Sequence, residues 1–228
     1  MAVYGMHHIA FMTSDMKAQI EFYTQVVGLK LVGIFPFHGV DGATHCFLEG
    51  GNGFLLSFVQ IKGREVDPVY GVSHARDVSD PVAGGALQHV ALNVDTMDEM
   101  LNLRDRLRSN GYAVFGPLAH GISYSMYLGS PEGIHLEFAT SDACETITAE
   151  KWVVPESAAI FDISEDDLER YKNPPAFKGK GGAVPQPSID KAVLPTPIPQ
   201  PMFEQLGYLS DEDLEKAMRF SAPAEAAE

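Results

Sequence analysis

The chain has 228 residues, of which 45% are hydrophobic and 21% charged, and its formal net charge is −15. That length suits one substantial domain with an appendage, or two small domains, and the acidic balance excludes a nucleic-acid binder or a protein held on an anionic membrane surface. No apolar run approaches membrane-spanning length, and the opening MAVYGMHHIAF lacks the basic and long apolar regions of a secretory signal. Cys46 and Cys144 are far apart and in no CxxC pair, which fits a reducing cytoplasm; the alternative is one structural disulfide.

In chain order, Met6 to Met12 reads as a strand. Thr13-Ser14-Asp15 offers capping side chains, Met16, Ile20, Tyr23 and Val27 follow at helical spacing, and Gly28 stands at the C-terminal end. Leu29 to Phe37, Thr44 to Leu48 and Phe54 to Ile61 are strand-like, separated by the turns His38 to Gly42 and Glu49 to Gly53. Residues 62–85 are polar with scattered Gly, Pro and Asp, a connection long enough for a crossover or a lid.

The same order then recurs. Leu87 to Val94 reads as a strand, and Thr96-Met97-Asp98-Glu99 as a capping box. Met97, Met100, Leu101 and Leu107 form an apolar stripe ended by Gly111. Tyr112 to Phe115, Ser123 to Leu128 and Ile134 to Phe138 are the next expected strands. His8-Ile9-Ala10-Phe11 overlays His89-Val90-Ala91-Leu92, and Gly53 to Phe58 overlays Gly133 to Phe138. One βαβββ module is therefore used twice, over residues 4–61 and 85–140, giving an α+β domain at 1–141. From 142 to 228 the chain is acidic, and Pro174 to Pro201 holds eight of its fifteen prolines. Ser164 and Ser210 each precede an acidic run that can open a helix, and the scattered aromatic residues predict an irregular arm that packs rather than a disordered tail. Ala222 to Glu228 is expected to fray.

Alternation puts Glu137 opposite Leu136 and Phe138, a costly place for a carboxylate without a partner. His8 and His89 occupy the same position of the repeated strands. Two imidazoles and one carboxylate on rigid strands make a three-ligand site for a divalent metal, suited to Fe(II), with Mn(II), Co(II) or Zn(II) as alternatives. The competing reading is that all three are structural residues.

HHIAFMTSDM with FYTQVVGLKLV, HVALNVD and SPEGIHLEF together resemble the vicinal oxygen chelate superfamily of glyoxalases, resistance proteins, epimerases and extradiol dioxygenases. The resemblance covers residues 4–140. It implies paired modules forming a cupped mixed sheet around one metal held by His8, His89 and Glu137. The fourth position, a glutamate in glyoxalase I-like members, is Ser57 here, which favours a three-ligand, extradiol-like branch. Tyr127, ten residues before Glu137, matches an active-site tyrosine of that branch. His120 is implied as a proton carrier, and His7 resembles the paired histidines of hydroquinone-cleaving members. Ser125 shares a strand face with Tyr127 and so joins His7 as a substrate-contact candidate. The usual first-module histidine base is missing, and His45 is its nearest substitute.

The implied activity is Fe(II)-dependent ring cleavage of a dihydroxylated aromatic using O2. A lyase or isomerase using a metal as Lewis acid and a small-ligand binding protein without chemistry are the other readings. Expected partners are a small substrate and a second copy as a homodimer, though two modules in one chain leave no need for a second copy to complete the site.

Overall fold

The computed structural model describes residue 3, residues 5–182 and residues 184–220; the fraying expected at 222–228 lies outside them. The chain divides into two compact units, Met1–Trp152 and Val153–Glu228.

The first unit holds both modules. β1 (His8–Met12) leads into α1 (Met16–Glu21), which continues as a π-helical turn over Phe22–Val27. β2 (Lys30–Pro36), β3 (Ala43–Glu49) and β4 (Leu55–Ile61) follow, in the sheet order β1-β4-β3-β2. β5 (Val90–Asn93), α2 (Met97–Ser109), β6 (Phe115–Ala119), β7 (Tyr124–Gly129) and β8 (His135–Thr140) repeat the pattern as β5-β8-β7-β6. In each sheet the first strand runs parallel to the last and the remaining pairs are antiparallel. The fold is thus α+β with two mixed four-stranded sheets.

Local chemistry explains the element ends. The Asp15 carboxylate accepts from the Ala18 amide at the start of α1, and Gly28 closes the helical run at φ 105, a value that favours glycine. The expected capping box opens α2, with Thr96 and Glu99 each satisfying the other's backbone amide. One strand is displaced: β6 occupies Phe115–Ala119, not Tyr112 to Phe115. The Gly111 and Tyr112 amides still donate to the Arg108 and Leu107 carbonyls, so those residues finish α2 before a strand can begin. β6 then carries Pro117, which an edge strand tolerates because its missing amide donor costs no ladder bond.

Alternation sorts each sheet into two faces. Cys46, Leu48, Leu56 and Phe58 from one module and Met126, Leu128, Leu136 and Phe138 from the other join Tyr23, Met100 and Leu107 in one apolar cluster. Burial of a side chain such as Phe58, with no exposed area, contributes about 1.5–3 kcal/mol. Phe22 packs edge-on against Tyr112 at 5.0 Å, and Arg106 donates to the Gln25 carbonyl at 2.8 Å, joining the two helical segments. Glu132, in the turn before β8, adds a polar clip: its carboxylate accepts from the Thr13 hydroxyl, from the Ser14 amide at 2.7 Å and from Gln19 Nε2 at 2.7 Å. The opposite faces carry His8, His45 and Ser57 in the first module and Ser125, Tyr127 and Glu137 in the second.

The second unit contains the short helices Pro155–Ala159, Glu165–Lys172, Gln200–Leu206 and Asp211–Met218. Ser164 opens its helix in a capping box with Asp167, and the Ser210 hydroxyl accepts from the Asp213 amide. Between Lys172 and Gln200 the described backbone is irregular except for a 3-10 turn at Ile189–Lys191. No helix among the described residues is long and apolar enough to cross a membrane, and Cys46 and Cys144 are both free.

Candidate metal centre

In the second module, Glu137 is only 8% exposed, and its partner is His89: Nε2 lies 3.1 Å from Oε2. β5 runs parallel to β8 with Ala91 opposite Glu137, which brings the residue just ahead of β5 diagonally onto the carboxylate. The other nitrogen of His89, Nδ1, is bonded to Gln88 Oε1, while Gln88 Nε2 donates to the Val78 carbonyl at 2.9 Å. Gln88 Oε1 accepts from Nδ1, so Nε2, the nitrogen that faces Glu137, is the one that would ligate a metal.

Tyr127 stands directly opposite Glu137 in the β7–β8 ladder. Burial first, then the Glu137 charge, push its hydroxyl above the ordinary tyrosine value, so it keeps its proton and can donate at neutral pH. His120 Nε2 lies 3.0 Å from the Tyr127 hydroxyl. Ser125 is buried on the same strand face, with its hydroxyl 3.2 Å from that of Ser123. His120, Tyr127, Glu137 and His89 thus form one line of polar side chains across β7, β8 and the start of β5.

The first-module half is different. His8 opens β1, exposed, with its ring 5.7 Å from that of Phe47. His7 precedes the strand, and its Nδ1 lies 2.9 Å from Nδ1 of His8. Ser57, the counterpart of Glu137, is fully buried and donates to the Ile9 carbonyl at 3.2 Å. It offers neither a carboxylate nor a free hydroxyl to a metal. His45 packs against Phe35, Phe37 and Phe47 at 5.9, 5.3 and 4.3 Å, and its Nε2 is buried without a hydrogen-bond partner. Burial, helped by the charges of His8 and His38, lowers its pKa, so the ring is neutral at neutral pH.

An imidazole nitrogen and a carboxylate oxygen 3.1 Å apart are the right donors for a divalent metal. The expected convergence of all three ligands in one chain is not met: among the described residues no three His, Cys, Asp or Glu side chains group closely enough to hold a metal ion. Sequence reading missed Gln88 and the aromatic neighbours Phe35 and Phe47. Gln88 was signalled only by its place beside His89, and the phenylalanines by their spacing along β2 and β3.

Residues 5–138 match the sequence model described as the Glyoxalase/Bleomycin resistance protein/Dioxygenase superfamily. A lactoylglutathione lyase of Neisseria meningitidis serogroup A / serotype 4A is 25% identical over 131 residues, which are 58% of this chain and 86% of that protein. The biphenyl-2,3-diol 1,2-dioxygenase 2 of Rhodococcus globerulus is 26% identical over 140 residues, 59% of this chain and 64% of that protein. Among solved structures, a glyoxylase/bleomycin resistance protein/dioxygenase domain from Frankia sp. EAN1pec superposes with a TM-score of 0.50 at 17% identity, covering 61% of this chain and 98% of that one.

Proposed function

Because the chain belongs to the Glyoxalase/Bleomycin resistance protein/Dioxygenase superfamily, we propose that it is a metal-dependent enzyme, an Fe(II) ring-cleaving dioxygenase of a dihydroxylated aromatic. The observation that carries this reading is the contrast between equivalent positions: Glu137 is paired with His89, whereas Ser57 is buried and bonded to backbone. A set of two histidines and one carboxylate leaves coordination positions open. It also lacks the second carboxylate that a ligand-derived base in lyase or isomerase chemistry would use.

His89 and Glu137 hold the metal, and His8 joins them from a second copy of the chain. In its own chain His8 is engaged by His7 and Phe47 and is not grouped with the pair. A second copy would also cover Phe115, which is 68% exposed beside Tyr127. When bound, Fe(II) supplies Lewis acidity toward adjacent ring oxygens and redox chemistry with O2. Tyr127 orients the ring by donating to one of its oxygens, and His120, 3.0 Å behind it, holds or returns a proton at the Tyr127 hydroxyl.

The test is oxygen uptake by protein loaded anaerobically with Fe(II), across catechols and hydroquinones. Stoichiometric O2 consumption with ring opening is the expected result. Turnover of a hemithioacetal under nitrogen with Zn(II) or Mn(II), and no O2 uptake, would move the assignment to a lyase of the kind represented by the Neisseria relative.

A further inference from the structure

The first-module face that carries His8 is lined by stacked rings and is almost without positive charge. Phe35 and Phe47 lie 5.8 Å apart at an interplanar angle of 17°, and His45 and Phe37 extend the same group. Gly33 makes this possible: a Cβ there would meet the Phe35 ring at 3.2 Å, so the missing side chain lets Phe35 lie flat along the sheet. These rings are only partly buried, in contrast to Cys46, Leu48 and Phe58 on the opposite face. Alternation has therefore spent large aromatic side chains on a face that the core does not use.

Charge narrows what such a face can take. Among the described residues, the only Lys or Arg in the eight strands is Lys30, at the outer end of edge strand β2 and opposite Glu49 in the ladder. The other strand charges among the described residues are Glu49 and Glu137. An anionic ligand on these strands would therefore meet no guanidinium, no ammonium beyond Lys30 and only the His8 and His38 imidazoles beside the rings, and would meet a carboxylate at the metal half-site. A flat uncharged ring gains stacking and apolar burial without that penalty.

We propose that Phe35, Phe37, His45 and Phe47 form a specificity wall that selects a planar, uncharged aromatic ligand and rejects carboxylated or glutathione-conjugated ones. The inference deepens the dioxygenase reading and rests on it for the wall's role in turnover. The binding preference itself needs neither metal nor O2. It also separates the two chemistries of the relatives, because a glutathione adduct carries carboxylates that these strands leave unpaired.

The experiment is equilibrium binding of 2-naphthol, 2-naphthoate and S-hexylglutathione to the full chain at neutral pH, before and after chelator treatment. 2-Naphthol should bind at least about tenfold more tightly than 2-naphthoate, with S-hexylglutathione weaker still. Phe47→Leu keeps the apolar volume but not the ring, and should lower 2-naphthol affinity several-fold with an unchanged unfolding transition. Phe35→Leu is the second variant, in case Phe47→Leu perturbs the sheet. Equal or tighter binding of the anions, or unchanged 2-naphthol affinity in both folded variants, would overturn the wall. So would failure of 2-naphthol to bind at all, the outcome expected if a second copy seals this face. Loss of O2 uptake with the naphthol preference intact would instead reject the dioxygenase reading alone.

Discussion

The Gln88 side chain bonds His89 at its oxygen and the Val78 carbonyl at its nitrogen, so the connection between the modules sets which imidazole nitrogen of His89 faces Glu137. Removing that restraint frees the ring to adopt the other tautomer or to rotate. Gln88→Leu should weaken Fe(II) or Co(II) binding about 10- to 100-fold, while Gln88→Glu, which keeps the acceptor for His89 but loses the donor to the Val78 carbonyl, should weaken it less. Metal titration followed by Co(II) absorbance reads this directly, with circular dichroism confirming that both variants fold.

If His8 reaches His89 and Glu137 from a second copy, two inactive chains can repair each other. His8→Ala and Glu137→Ala should each abolish metal-dependent activity. Mixed in equal amounts through an unfolding and refolding cycle, they should recover roughly a quarter of the parent's activity, because half the dimers are mixed and each mixed dimer holds one intact site. No recovery from well-folded mixed chains would place all three ligands within one chain.

The Glu132 clip joins the turn before β8 to the start of α1, and its loss would leave the fully buried Gln19 amide with only its 3.3 Å bond to the Pro131 carbonyl. Glu132→Ala should destabilise the first unit by about 1–3 kcal/mol in urea unfolding. Glu132 sits at φ 62, so Glu132→Gly should cost less than Glu132→Ala, the strain relieved partly offsetting the bonds lost.

Tyr23 is fully buried, and although Ser130 lies near its hydroxyl, no partner stands at hydrogen-bonding geometry. Burial raises its folded-state pKa above the ordinary value near 10. The unfolded chain therefore loses this proton first as pH rises. The stability Tyr23 contributes is complete below pH 10 and declines above it, toward the folded-state value. Tyr23→Phe should flatten that alkaline decline, seen by comparing urea midpoints at pH 8 and pH 11 with those of the parent. An unchanged slope would assign the alkaline loss to other groups.

The repeat was legible in the residues themselves. His8 overlays His89 and Ser57 overlays Glu137, because alternation and helix-capping side chains act over a few residues and leave their pattern in sequence. Thr96 with Glu99 and Ser164 with Asp167 formed the bonds their spacing implied. The pairing of Glu137 with His89 also followed, since parallel neighbours β5 and β8 lie within one module. What sequence could not decide was which faces meet. Phe22 against Tyr112 and Glu132 against Gln19 set how the modules pack, and the connection at residues 62–85 is long enough to permit more than one such packing. That choice left His8 beside Phe47, not with Glu137, and put Phe35 within stacking distance of Phe47. Periodicity reports which way a side chain points. Long-range packing alone determines what stands opposite it.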